Sequence, residues 1–197
     1  MDALMICIAC ELPALWIPPE GMPPTLSDLV CRLPEDSPAW EPCPITWAHE
    51  ASHFLSKGGH GIHGIYWMDG QRRWVPIPPI STERVFRAIP IEKRGSIYRT
   101  YLTQGMDAYW RDRPTMILDE WVAYLRGSQV RKELAWTRRK ETTTYCAVCA
   151  DWAQVLYQMS LSIEGYNHAA LRDVCREIVA ECREAIPEWD EMSDAKF

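Results

Sequence analysis

The sequence predicts a mainly α fold (α+β) that includes a small β-hairpin and ends in an antiparallel pair of helices. Apolar residues recur at helical spacing in the second half, aromatic and β-branched runs flank Asp69-Gly70, and nine of the 15 prolines fall in the first 44 residues. A chain of 197 residues can bury a full core as one domain. Its predicted parts are a Pro-rich N-terminal wrap, a core and a helical C-terminal extension, at residues 1–43, 44–140 and 141–197.

The first 44 residues contain too much proline for long regular elements. Proline lacks a backbone donor and fixes φ, so the sequence predicts one strand or short helix near Ala3–Leu12 and then an extended wrap with turns. Pro44 suits the first turn of a helix, where its missing N–H costs nothing, and Gly58-Gly59 stops that helix. The sequence therefore predicts a helix from Pro44 to about Lys57.

Asp69-Gly70 indicates a two-residue hairpin loop, because both residue types tolerate the positive φ that such tight turns need. The predicted strands cover residues 64–68 and 71–75. Farther along the chain, Ser81 is a good helix N-cap, and Pro90 interrupts the helix that follows it.

Helical spacing predicts four further helices. The first two span residues 95–110 and 115–136, and the second of these begins after Pro114. The last two form an antiparallel pair because only a short break at residues 164–167 separates them. Their apolar faces contain Tyr145, Val148, Cys149, Trp152, Leu156, Met159 and Ile163 in one helix and Leu171, Val174, Cys175, Ile178, Cys182 and Ile186 in the other.

Composition argues against a membrane protein, since no apolar run approaches the length that a bilayer requires. The start is apolar but includes Asp2 and Glu11 and lacks basic residues, so it is a poor signal peptide. The net charge is −6, yet residues 61–140 contain 15 basic and 8 acidic side chains. We interpret the densest basic runs, Arg131-Lys132 and residues 138–140, as solvated helix faces, and a nucleic-acid surface as the weaker alternative.

The eight cysteines are an even number, which leaves disulfides open. The sequence favours a reduced, cytoplasmic protein, because several cysteines occupy core positions of helices and nothing signals secretion. Two C-x-x-C pairs, Cys7/Cys10 and Cys146/Cys149, allow a structural zinc site as an alternative. The second pair lies inside a helical pattern rather than at a turn, so we interpret these residues as buried thiols.

The stretch from Thr46 to Leu55 contains the arrangement H-E-x-x-H. On a helix, positions four apart lie on the same face, so His49 and His53 can share one Zn²⁺. Glu50 follows the first histidine, where its carboxylate can accept a proton from a metal-bound water. The other seven residues are uncharged, as in a helix that passes through a core. A surface helix with two satisfied histidines is the alternative interpretation.

This stretch resembles the signature of the zincin metallopeptidases, which asks for Val or Thr first, uncharged residues around the trio and an apolar end. Thr46 and Leu55 fit the two ends. The resemblance implies a compact zincin-like core, a Zn²⁺ cofactor and hydrolysis of a peptide or protein substrate, with Glu50 as general base. A further donor steadies the oxyanion in such enzymes. The candidates for that donor are His168, Tyr109 and Tyr124.

A catalytic zinc has three protein ligands, so one ligand remains to be found. Metzincins, one class of zincins, extend the motif to H-E-x-x-H-x-x-G-x-x-H. Here Ser56 occupies the glycine position and Gly59 the position of the third histidine, while His60 comes one residue late and His63 four. Both histidines remain candidate ligands.

Gluzincins, another class, take the third ligand from a glutamate on a later helix, and Glu120 lies among apolar neighbours in such a segment. A carboxylate buried there needs a partner, and a metal ion is one. The resemblance therefore implies His49, His53 and Glu120 as zinc ligands. Gluzincins commonly place a carboxylate four residues after this glutamate to orient a metal histidine. Here that position is Tyr124, so either its phenol or an acid such as Asp119 is expected to orient the histidine.

Two other classes of function are compatible with the sequence. One is a non-catalytic interaction module with a structural zinc site, and the less favoured one is a protein that binds nucleic acid through its basic middle third. Zinc content separates the first from a metal-free fold. The effect of Glu50→Gln on activity separates catalysis from binding alone.

Overall fold

The structure is a computed structural model that describes residues 23–33, 43–94, 110–135 and 141–185. In these ranges the chain is mainly helical and contains a three-stranded antiparallel sheet, which confirms the predicted fold class. The elements are α1 (Pro24–Arg32), α2 (Pro44–Leu55), β1 (Lys57–Gly59), β2 (Ile62–Tyr66), β3 (Arg72–Pro76), α3 (Thr82–Ala88), a 3-10 turn (Ile91–Lys93), α4 (Met116–Glu133), α5 (Glu141–Ser160) and α6 (His168–Ala185).

The segment of α1 is helical where the sequence predicts an extended wrap, so this part of the prediction is wrong. Pro23 and Pro24 stand at the start of the helix, where a missing N–H costs nothing, and the next proline is Pro34. Leu26 and Leu29 are buried in one cluster with α2. This burial stabilises α1, and no proline interrupts the helix between Pro24 and Pro34.

The other described helices agree with the prediction within a few residues. α2 begins at Pro44, and α3 begins after Ser81, whose hydroxyl accepts a hydrogen bond from the backbone N–H of Arg84 at 3.3 Å. α5 and α6 form the predicted pair, joined by a turn at residues 161–167. None of the helices in the described part of the chain has the length and apolar character to cross a membrane. The elements predicted near Ala3–Leu12 and at 95–110 lie outside the described residues.

The hairpin has a three-residue loop rather than the predicted two-residue loop. The backbone N–H of Trp67 donates to the carbonyl of Gln71 at 2.8 Å, which leaves residues 68–70 as the loop. Gly70 has φ 79°, the left-handed conformation that closes such a loop. β1 is not predicted from the sequence, and it forms because the chain stays extended from Ser56 onward and pairs with β2.

One hydrophobic core joins the sheet, α3, α4 and the C-terminal helix pair. The rings of Trp67 and Trp121 are buried in it, with their centroids 5.3 Å apart. Two polar contacts connect α6 to the hairpin: Trp67 Nε1–H donates to Glu181 at 3.1 Å, and Arg73 pairs with Glu177 at 3.0 Å. The helical extension therefore belongs to the same packed core.

α2 packs on α4 through small side chains. Ala48, Ala51 and Ser52 are buried on α2, and side chains of this size allow a neighbouring helix to approach closely. The C-terminal half of α2 consequently lies against the first turns of α4, where Asp119 and Glu120 are located.

Arg126 is a charged residue within this core, with 2% of its surface exposed. Its guanidinium lies over the ring of Tyr66 at 4.7 Å and donates to the backbone carbonyl of Trp67 at 2.5 Å. Burial lowers the pKa of Arg126. The side chain thus connects α4 to the end of β2.

We predict that Arg126→Ala lowers the free energy of unfolding by about 3 kcal/mol, because it leaves a cavity and removes a buried, charged hydrogen bond to the carbonyl of Trp67. Chemical denaturation followed by tryptophan fluorescence measures the change. The control is Arg84→Ala on α3, where the arginine is exposed and the expected change is within about 0.5 kcal/mol. Equal destabilisation by both variants would contradict the role of Arg126.

Candidate metal centre

His49 and His53 project from the same face of α2, one helical turn apart. Their Nε2 atoms lie 3.2 Å apart, and their ring centroids lie 4.9 Å apart. The two side chains are 15% and 20% exposed, so both are reachable from solvent yet largely enclosed. The paired imidazoles therefore present two nitrogen donors to one position.

Glu120 of α4 completes a group of three ligands. Its Oε2 lies 3.4 Å from Nε2 of His49, and its Oε1 lies 3.4 Å from Nε2 of His53. Among the described residues, the side chains of His49, His53 and Glu120 form the one group of His, Cys, Asp and Glu side chains close enough together to hold a metal ion. The side chain of Glu120 is 10% exposed, so its carboxylate depends on the two imidazoles or a cation for compensation.

The spacing of the two imidazole nitrogens fits tetrahedral coordination. Ligand atoms at 2.0–2.1 Å from a tetrahedral zinc are about 3.3 Å apart, whereas those of an octahedral ion at the same distance are about 2.9 Å apart. The two Nε2 atoms are 3.2 Å apart, and each lies 3.4 Å from a different oxygen of Glu120, Oε2 for His49 and Oε1 for His53. Two imidazoles and a carboxylate are also donors that zinc prefers. The residues therefore fit a zinc ion with one coordination position left for water or substrate.

The surroundings of His53 favour positive charge. Burial by itself lowers the pKa of its imidazole. The carboxylates of Asp119, Glu120 and Glu50 raise this pKa by more than burial lowers it, so the pKa of His53 is raised to about 10. His53 also lies in the last turn of α2, where the helix dipole favours a cation. A proton and a metal ion compete for such a position, so metal binding there releases a proton.

Asp119 provides the carboxylate that orients His53. Its Oδ2 accepts a hydrogen bond from Nδ1 of His53 at 2.8 Å, which directs the lone pair of Nε2 toward the ligand group. Its Oδ1 accepts from the hydroxyl of Ser56 at 2.5 Å. Of the two orienting residues suggested by the sequence, Asp119 therefore makes the hydrogen bond. Tyr124 instead packs its ring against that of His49 at 4.5 Å.

The histidines of the metzincin alternative lie outside the ligand group. Ser56 has extended backbone angles, φ −73° and ψ 144°, so the chain leaves α2 directly into β1. His60 is exposed in the turn between β1 and β2. His63 is buried with its Nδ1 3.1 Å from Oγ1 of Thr115, and burial lowers its pKa. The geometry thus favours Glu120 over both histidines.

Glu50 lies beside the ligand group, directly after His49 on α2. Its side chain is partly exposed, and its charge raises the pKa of His53, so the carboxylate lies within electrostatic reach of the ligands. A carboxylate in this position can accept a proton from a water molecule at the open coordination position.

The three predicted oxyanion donors have different positions. Tyr124 lies at the ligand group, packed between His49 and Tyr145. The contacts of His168 are in the turn between α5 and α6, with Ser160 Oγ 3.5 Å from its Nδ1 and the ring of Tyr166 at 5.1 Å. Tyr109 lies outside the described residues. Oxyanion stabilisation by any of these residues stays a prediction.

The cysteines of the described ranges form no second metal group. Cys146 and Cys149 are buried free thiols on α5, and burial raises the pKa of both. This agrees with their interpretation as core residues. Cys7 and Cys10 lie outside the described residues. Cys43 is disulfide-bonded, which differs from the reduced state that the sequence predicts for the cysteines.

Comparison of the chain with protein-family models, with characterised proteins and with solved structures gives no match. The resemblance to zincins therefore stays a prediction that rests on the H-E-x-x-H stretch. The fold and these donors together define a mainly helical protein with a candidate divalent-metal centre between α2 and α4.

We predict that the protein binds one zinc ion per chain and that Glu120→Ala weakens zinc affinity by more than about 100-fold, the upper range for loss of an outer-shell partner. His53→Ala should have a similar effect because it also removes a donor. Competition with a chromogenic chelator measures both. His60→Ala is the matched control, since His60 is exposed in the β1–β2 turn. Unchanged affinity in Glu120→Ala, or loss of affinity in His60→Ala, would contradict this ligand set.

Proposed function

We propose that the protein is a zinc-dependent metallopeptidase of the gluzincin type. The observation that supports this most strongly is the convergence of His49, His53 and Glu120, whose ligand atoms lie within 4.8 Å of one another, with Glu50 next to His49 on the same helix. Catalytic zinc sites have three protein ligands and one open position, whereas structural sites are closed by four. Within the described residues the group has three members, which favours a catalytic site over a structural one.

Each member of the site has a distinct role in the proposed reaction. His49, His53 and Glu120 would hold a zinc ion, which when bound would lower the pKa of its water toward about 7 and polarise the scissile carbonyl. Glu50 takes the proton from the attacking water and delivers it to the leaving amine. Asp119 holds the proton of the neutral His53 ring on Nδ1 and so directs Nε2 at the ligand position.

We propose that an extended peptide substrate binds along β1. This strand follows the metal-binding helix directly and is exposed along its length. It lies at the end of the strand order β1-β2-β3, so in the described sheet its outer edge leaves backbone groups for another strand. Added strands bind through main-chain hydrogen bonds, and Gly58-Gly59 contributes no side chains that would obstruct them.

We predict that Glu50→Gln lowers kcat for peptide hydrolysis by at least about 100-fold, within the range for loss of general-base catalysis. The amide preserves the shape of the side chain but cannot accept the proton, so zinc affinity should not fall. Cleavage of fluorescein-labelled casein by the zinc-loaded protein measures the rate. Glu92→Gln is the control, because Glu92 is exposed on the 3-10 turn.

The outcomes of this experiment separate the proposal from its rivals. Wild-type activity in Glu50→Gln would contradict the role of Glu50. A wild-type protein that binds zinc tightly but cleaves neither casein nor a peptide library would support the non-catalytic interaction module instead. A wild-type protein that does not bind zinc would exclude both the metallopeptidase and the interaction module with a zinc site.

The nucleic-acid alternative is based on two basic runs, and the first of them lies in α4. Arg131 and Lys132 lie in the last turn of this helix, where basic side chains complement the helix dipole. Lys132 is exposed there, whereas Arg131 is half-buried with its Nε enclosed, so the interpretation of a solvated face agrees with the structure for Lys132 alone. The second basic run, at residues 138–140, lies outside the described residues.

We also propose a reducing, cytoplasmic setting, supported by the free thiols of Cys146, Cys149, Cys175 and Cys182 in the core. The disulfide of Cys43 argues in the other direction.

We predict that Cys43 is reduced in protein taken from its native cell. Alkylation before lysis, followed by peptide mass spectrometry, measures this. An intact disulfide under those conditions would contradict the cytoplasmic setting.

A further inference from the structure

We propose that Ser56 is a positioning residue for the metal centre, acting through Asp119 on His53. This inference rests on the proposed zinc site and adds to it a residue outside the H-E-x-x-H trio. In the metzincin pattern its position belongs to a glycine that turns the chain. Here Ser56 has extended angles and offers a hydroxyl instead, directly after the helix that presents the two histidines.

The hydroxyl of Ser56 is used as both an acceptor and a donor. The backbone N–H of Tyr66, at the end of β2, donates to Oγ at 3.0 Å. The hydroxyl proton is directed at Oδ1 of Asp119, 2.5 Å away. Since a carboxylate accepts and an amide donates, these two partners allow the hydroxyl one orientation.

The anchor of this arrangement is rigid. Tyr66 is paired with Arg72 in the β2–β3 ladder, and its ring is buried beneath the guanidinium of Arg126. Ser56 is itself fixed at the end of α2, where its backbone N–H donates to the carbonyl of Ser52 at 3.1 Å. The hydroxyl is therefore held by two elements whose positions do not depend on a metal ion.

Asp119 transmits this constraint to the imidazole. Its side chain is 2% exposed, and each of its oxygens accepts one hydrogen bond, from Ser56 and from His53. A carboxylate held at both oxygens cannot rotate about its terminal bond, so the direction of the hydrogen bond to Nδ1 is fixed. Without Ser56, Asp119 would keep one of these partners and could rotate. The ligand nitrogen of His53 would then lose its fixed direction.

Zinc affinity of the full-length protein, measured by chelator competition, tests the proposal. Ser56→Ala should weaken zinc binding about 10-fold, the lower range for loss of an outer-shell partner, and Ser56→Thr should restore it because the hydroxyl is retained. Ser52→Ala is the matched control. This serine lies one turn earlier on the same helix, and its buried hydroxyl donates only locally, to the carbonyl of Ala48 at 2.8 Å. Its removal should leave zinc affinity unchanged.

A double-mutant cycle shows whether Ser56 acts through Asp119. In an Asp119→Ala background, Ser56→Ala should have no further effect on zinc affinity, because the carboxylate that it positions is absent. In zinc-loaded protein, ¹⁵N-resolved imidazole spectra should show the Nδ1–H of His53 protected from exchange in wild type and Ser52→Ala, but exchanging in Ser56→Ala. If Ser56→Ala does not fold, Ser56→Cys, a weaker donor of similar size, replaces it throughout.

Additive losses in the cycle would overturn the proposal, as would wild-type zinc affinity in Ser56→Ala. Either result leaves the zinc site itself intact, provided that wild type binds zinc and Glu120→Ala does not. Absence of zinc binding by wild type would overturn the metallopeptidase proposal instead. The two failures are therefore distinguishable.

Discussion

Two neighbouring carboxylates, Asp119 and Glu120, are buried in the first turns of α4, and the arrangement of the site depends on how their charges are compensated. Burying adjacent negative charges is costly unless each has a partner. Both use the same imidazole: Asp119 contacts Nδ1 of His53 and Glu120 contacts its Nε2. Because successive residues on a helix point in different directions, they can reach opposite sides of one ring. His49, whose Nε2 lies 3.4 Å from Oε2, is a further partner on the side of Glu120.

The rest of the fold places α4 where the histidines of α2 can compensate the charges of Asp119 and Glu120. Almost every residue from Met116 to Tyr124 is buried, with α2 on one side and the C-terminal helix pair on another. A helix buried on most sides belongs to the core, so its polar residues have little access to bulk solvent as an alternative partner. The small residues of α2 bring the two histidines within reach, and the sheet supplies a fixed backbone donor for Ser56. The core and the candidate site are thus stabilised by the same helix packing.

Much of the site follows from local sequence signals. The helical spacing of His49 and His53 is visible in five residues, and Glu120 is recognisable as an acidic residue in an apolar helical segment. The hydrogen bonds of Ser56 are not predictable in this way, since its partners lie 10 and 63 residues away. β1 was not predictable either, because Gly58-Gly59 has low strand propensity and pairs only when β2 is in place. The high proline content led to the prediction of an extended wrap in place of α1. The stability of α1 comes from burial against α2 rather than from its own composition.

The distance along the chain between the two halves of the site has a consequence for biosynthesis. Asp119 follows His53 by 66 residues, and the ribosome releases the chain from its N-terminus. The growing polypeptide therefore exposes its histidine helix well before α4 has emerged to supply the carboxylates. For a peptidase of the kind proposed, the set of ligands is therefore complete only after α4 has been translated.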